Sequence, residues 1–165
     1  MGRSNSGKSS LINAIFNNHK KRSKRKVAWT AKGAGTTKFL HFHHIKNKDS
    51  LIVDAPGYGF AKMNKRRREM WFGLTEEYMK ISSRLSQIFV CINLEHGLKP
   101  NDMLFLKRAD RYNIDVQVIL TKTDKLRSHR YYSQLQAIVE GIKRLGLKRV
   151  NERIIAVSSQ STFGL

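Results

Sequence analysis

The 165-residue chain holds one cysteine, Cys91, so no internal disulfide can form. Cys91 lies in the apolar run Ile88-Phe89-Val90-Cys91-Ile92, where a thiol reads as a core side chain rather than a nucleophile. A reducing compartment fits that usage. There are two prolines, Pro56 and Pro100, and no Pro-rich linker divides the chain. No apolar run approaches the roughly 18 residues of a membrane-spanning helix. No signal-peptide pattern and no internal repeat are visible. Acidic residues are scarce: 12 Asp and Glu stand against 32 Lys and Arg, a net charge of +20.

What is present is a domain-sized chain, 40% hydrophobic, long enough to bury a core. Its positive charge comes in clusters. Lys20-Lys21-Arg22-Ser23-Lys24-Arg25-Lys26 is one, Lys62 with Lys65-Arg66-Arg67-Arg68 a second, and Lys143-Arg144 with Lys148-Arg149 a weaker third. Clustering favours a polyanionic partner, most simply RNA, over a solvated basic surface. Neither DNA nor a second copy of the chain is expected. Trp29 and Trp71 flank the clusters. Each could stack on a base, although packing is the commoner role.

The stretch Gly2-Arg3-Ser4-Asn5-Ser6-Gly7-Lys8-Ser9-Ser10 fits G-x-x-x-x-G-K-[ST] and runs into the amphipathic Leu11-Ile12-Asn13-Ala14-Ile15-Phe16. This is a phosphate-binding loop opening a helix. The glycines let successive N–H groups face one point, and the helix start adds partial positive charge there. Lys8 supplies a full charge for the β- and γ-phosphates, and Ser9 a hydroxyl for Mg²⁺. Asp54-Ala55-Pro56-Gly57 closes an apolar strand. The carboxylate of Asp54 suits Mg²⁺, and the Gly57 N–H suits a γ-phosphate. Thr121-Lys122-Thr123-Asp124 follows the strand 116–120. A carboxylate at Asp124 can accept from guanine N1–H and its exocyclic amine, which adenine cannot match. The Lys122 stem can cover the base. In Ala156-Val157-Ser158-Ser159 a backbone N–H can donate to guanine O6, a weaker signal.

Periodicity predicts alternating helices and strands. Helices are expected over 8–18, within 67–82, near 101–112 and over 128–145, the last ended by Gly146. Strands are expected at 39–45, 51–54, 87–93, 115–120 and 153–157. The fold class is α/β, a doubly wound, mostly parallel sheet of the P-loop NTPase kind, in one domain over 1–165. A phosphate loop normally follows a buried strand, yet only Met1 precedes Gly2, and the chain stops at Leu165 where another helix is expected. The domain is therefore expected to be truncated at both ends, without its first strand and last helix. His41, His43 and His44 crowd one strand, but no further ligand is suggested and they read as partly exposed strand residues.

The order of these motifs is that of a translation-factor-type GTPase. The loop Gly2–Asn13, then Gly35-Thr36-Thr37, then Asp54-Ala55-Pro56-Gly57-Tyr58-Gly59-Phe60-Ala61, then Thr121-Lys122-Thr123-Asp124-Lys125 closely resemble the EngB family of ribosome-assembly GTPases. The resemblance implies binding of GTP and GDP with Mg²⁺, and slow hydrolysis assisting large ribosomal subunit assembly through rRNA. It implies Asn5, Ser6, Gly7, Lys8, Ser9 and Ser10 at the phosphates, with Gly35 beside the switch residue Thr37 (Thr36 as fallback). It puts Ser9, Thr37 and Asp54 at Mg²⁺, Gly57 with Asp54 in the second switch, and Thr121, Lys122, Asp124, Ser158 and Ser159 at guanine. Lys8, Thr37 and Gly57 would carry catalysis. Asn5 either helps hold K⁺ against the phosphates or satisfies its own loop. Tyr58, after Gly57, cannot orient water as a glutamine does, hence the slow rate. Departures are Ser159 where alanine is more usual, Asn93-Leu94-Glu95 where an aspartate often leads, and a first switch region rich in Lys and Arg. The rival readings are an RNA-binding protein that has lost turnover, a GTPase of membrane or metal transport, and a generic ATPase. The compartment would be bacterial cytoplasm, or mitochondrion or plastid in a eukaryote.

Overall fold

The computed structural model describes residues 1–18, 39–45, 49–58, 65–161 and 163–164. Chain order is α1 (Lys8–Asn18), β1 (His41–His44), β2 (Leu51–Asp54), α2 (Lys65–Ile81), β3 (Gln87–Asn93), α3 (Pro100–Arg111), β4 (Asp115–Thr121), a 3₁₀ turn (Thr123–Lys125), α4 (Ser128–Lys143) and β5 (Ile155–Ala156).

β3 is as predicted. Val90 and Ile92 are fully buried and Cys91 nearly so, while Phe89 is 47% exposed; the strand lies at one side of the sheet ordered β3-β4-β5. It pairs in parallel with β4 from Gln87↔Asp115 to Asn93↔Thr121. β4 pairs in parallel with β5 at Ile119↔Ile155 and Leu120↔Ala156. β5 is shorter than the expected 153–157. The chain is joined to β4 at Val116↔Val150, and between these points the Gln117 side-chain amide donates to Arg153 O in place of a ladder bond. β1 and β2 form an antiparallel pair. His41 and His44 are exposed and His43 half-buried. Among the described residues no group of three or more His, Cys, Asp or Glu could hold a metal ion.

α3 shows why a helix forms here. Pro100 occupies the first turn, where its missing N–H costs nothing. Asp102 begins the helix, and Arg108 and Arg111 end it, as the dipole favours. Phe105, Leu106 and Ala109 face the core at helical spacing. The main cluster joins Val90, Ile92, Leu106, Val116, Val118 and Ile138 across β3, β4, α3 and α4. α4 ends before Gly146, whose φ of +61° suits a residue without Cβ. Among the described residues no helix is long and apolar enough to cross a membrane.

Residues 1–3 run between β3 and the end of β2. Cys91 N–H donates to Met1 O at 2.8 Å, and parallel bridges join Gly2 to Cys91 and Arg3 to Tyr58. Gly2 has φ +141°, and a Cβ there would meet Cys91 O at 2.4 Å. The described strands form a two-stranded sheet, β1-β2, and a three-stranded sheet, β3-β4-β5, and the phosphate loop emerges by the carboxyl ends of β2, β3 and β4. Below it, between β2 and β3, lies a cavity of about 500 Å³ lined by Leu11, Ile12, Val53, Met79, Phe89 and Ile119 among others.

Candidate nucleotide site

The loop after Gly2 curls at residues that tolerate the curl. Asn5 has φ +60° and Gly7 φ +91°, the left-handed region open to glycine and, among other residues, most readily to Asn. Ser6 N–H donates to Arg3 O at 3.1 Å, and Leu11 N–H to Gly7 O at 2.8 Å, so turn passes directly into helix. Lys8 is buried, and its ammonium donates to Arg3 O at 3.0 Å and Gly2 O at 3.3 Å. Burial lowers its pKa, opposed in part by the neighbouring Cys91 and the Asp54 carboxylate. An ammonium held on neutral carbonyls in a desolvated place has a strong drive toward a polyanion.

Ser9 Oγ donates to Asp54 Oδ2 at 2.9 Å. Asp54 is 3% exposed, and its Oδ1 is buried without a hydrogen-bond partner among the described residues. Two hard oxygen donors side by side, one oxygen orphaned, fit Mg²⁺. Gly57 packs on the loop so closely that a Cβ would lie 2.8 Å from both Lys8 Nζ and Ser4 N. Only glycine fits there, since Ser4 N is backbone.

The second half of the site is tied to the first. Thr121 Oγ1 donates to Ser6 O at 2.6 Å, and Lys122 Nζ to Asn5 O at 2.8 Å. Lys122 sits at φ +59°, and burial lowers its pKa. Ser158, fully buried after β5, donates its hydroxyl to Asp124 Oδ1 at 2.5 Å. That fixes one carboxylate oxygen and aims the side chain. Asp124 is exposed, because the 3₁₀ turn 123–125 lifts it off the strand end. The Ser158 N–H donates to Phe163 O at 2.9 Å, so Ser158 acts on the site through its hydroxyl. Ser10 is half-buried on α1, and Ser159 is exposed. Gly35, Thr36, Thr37, Trp29, Lys62 and the cluster 20–26 lie outside the described residues.

Sequence reasoning missed three participants. Arg3 Nε lies 3.1 Å from Asp102 Oδ2, and Asp102 is fully buried at the start of α3. Tyr58, 5% exposed, faces the same carboxylate. No local pattern announces them, because the contacts join residues far apart in sequence.

The family described as 50S ribosome-binding GTPase matches residues 1–122. A protein of Ehrlichia chaffeensis called "Probable GTP-binding protein EngB" is 37% identical over 164 residues, 99% of this chain and 77% of that protein. The chain belongs to the EngB family of GTP-binding proteins. A crystal structure of a probable GTP-binding protein engB superposes with a TM-score of 0.69 at 20% identity, covering 98% of this chain and 88% of the other. A structure of Era in complex with MgGDPNP and nucleotides 1506–1542 of 16S ribosomal RNA gives 0.71 at 22%, covering 98% and 50%. At such identities these two carry the fold alone. The EngB fold is thus a P-loop GTPase α/β domain here, and the chain is a GTPase.

Proposed function

We propose that this GTPase is a nucleotide-dependent switch that assists assembly of the large ribosomal subunit, with the residues above as its GTP site. The observation that carries the site reading is the Ser9–Asp54 contact beside buried Lys8, the donor set a Mg-triphosphate requires. The match to 50S ribosome-binding GTPases over 1–122 supports the large subunit as partner, and the clustered charge of +20 supports binding through rRNA.

In this reading the loop N–H groups and Lys8 hold the β- and γ-phosphates and stabilise charge that builds on the bridge during in-line attack by water. Ser9 and Asp54 would hold Mg²⁺, which neutralises phosphate charge when bound. Thr37 would be a further Mg²⁺ ligand in the triphosphate state, and Gly57 would donate to the γ-phosphate. Tyr58, after Gly57, is buried and cannot orient water as a glutamine does, which supports a slow intrinsic rate. Asp124 reads guanine, positioned by Ser158. Asn5 would help place K⁺, although its φ of +60° already accounts for an asparagine there.

Calorimetry tests the site. GTP and GDP bind, ATP does not, and Lys8→Ala loses most triphosphate affinity. Equal affinity for ATP and GTP would defeat the guanine assignment. Turnover in K⁺ against Na⁺ at equal ionic strength, for the parent and Asn5→Ala, decides the cation. Turnover stimulated by large subunits separates a switch from an RNA-binding protein without hydrolysis.

A further inference from the structure

Arg3 enters the phosphate loop and Tyr58 follows Gly57, and both converge on one side chain of α3. Arg3 Nε is 3.1 Å from Asp102 Oδ2, and Arg3 Nη2 donates to Gly97 O at 3.2 Å. The same Oδ2 accepts the Lys99 N–H at 2.9 Å. The Tyr58 ring stacks on Phe105, one turn along α3, at 5.0 Å and 17°. The Tyr58 N–H donates to Gly2 O at 3.2 Å. The Tyr58 hydroxyl faces Asp102, and both it and Asp102 Oδ1 are buried without a hydrogen-bond partner among the described residues. Burying a carboxylate completely is costly unless partners compensate. Here the partners come from two different loops of the site, and Gly57 is held against Lys8 and Ser4 between them.

We propose that Asp102 is a positioning residue for the triphosphate: by gripping Arg3 and Tyr58 on one buried carboxylate it holds the Gly57 N–H where the γ-phosphate arrives. The proposal rests on the reading of Gly57 as the γ-phosphate donor. It makes α3 the element that senses the γ-phosphate, because pulling Gly57 strains Tyr58 against Asp102. Diphosphate, which does not reach Gly57, is indifferent to the grip.

The test uses the full chain with fluorescent GDP and a fluorescent non-hydrolysable GTP analogue. The variants are Tyr58→Phe, Asp102→Asn and the pair together, with thermal unfolding run alongside. Tyr58→Phe keeps the stack on Phe105 and removes only the hydroxyl. With the polar group facing the carboxylate removed, the GTP analogue is expected to bind about tenfold more weakly, while GDP changes less than about twofold. Asp102→Asn has a larger effect of the same kind, and the double variant is no worse than Asp102→Asn alone, as for members of one network. If Asp102→Asn does not fold, the triphosphate-to-diphosphate ratio of Tyr58→Phe decides alone. Equal losses for both nucleotides, or no loss, would overturn the positioning role, as would strict additivity in the cycle. A parent protein in which Gly57→Ala leaves the affinity ratio unchanged would instead overturn the reading of Gly57.

Discussion

At the scale of single residues the site works through side chains whose partners are already chosen. Asp124 keeps one oxygen on Ser158 and presents the carboxylate edge to a base. Asp124→Asn turns an acceptor into a donor, so guanine's amine loses its acceptor while a xanthine carbonyl gains a donor. GTP affinity should fall at least about 10²-fold and xanthosine triphosphate affinity should rise, as titration with both would show. Tyr58 offers a different readout. Its pKa is raised well above 10.0, first by burial and then by the Asp102 charge. Above pH 10.0 the unfolded chain therefore gives up a proton that the folded chain keeps. Stability must fall as pH rises through that range, and below it Tyr58 contributes no slope. Comparing denaturant unfolding of the parent and Tyr58→Phe between pH 10 and 11 should show a slope shallower by up to about 1.4 kcal/mol per pH unit in the variant. Identical slopes would mean that Tyr58 ionises in the native state as freely as in the unfolded one.

At the scale of elements, α2 begins with Lys65-Arg66-Arg67-Arg68 and has no acidic residue in its first turn. Four cations at the positive end of a helix dipole oppose it, each by about 0.3–1 kcal/mol. A cluster that weakens its own helix is best understood by what it binds. Replacing all four by Gln should raise the melting temperature by a few degrees and weaken large-subunit binding in a pelleting assay. A melting temperature that falls would show that the cluster is structural. Legibility also varied by element. β3 is legible to the residue because the apolar run 88–92 is continuous and is bounded by the polar Gln87 and Asn93. β5 is not, because only Ile155 and Ala156 pair as a strand, while the chain before them meets β4 at the single bridge Val116↔Val150 and through the Gln117 side chain on Arg153 O. In the site, the phosphate loop and Asp54, Gly57, Thr121, Lys122 and Asp124 were visible, since each motif is contiguous and sits where a strand stops. Arg3–Asp102 and Tyr58–Asp102 were invisible, because only the packing of α3 across the loop creates them.

At the scale of the whole molecule, a charge of +20 makes ribosomal binding a salt-dependent quantity. If about six phosphates are contacted, affinity for large subunits should drop on the order of 10³-fold between low and moderate salt. A flat salt series, the same with GDP and with a GTP analogue, would mean the charge is only solvated surface. Thr121 Oγ1 on Ser6 O and Lys122 Nζ on Asn5 O fasten the phosphate loop to the end of β4, so the amide protons of the two segments should gain protection from hydrogen exchange together when GDP is added. Protection gained by one segment alone would show that they open independently.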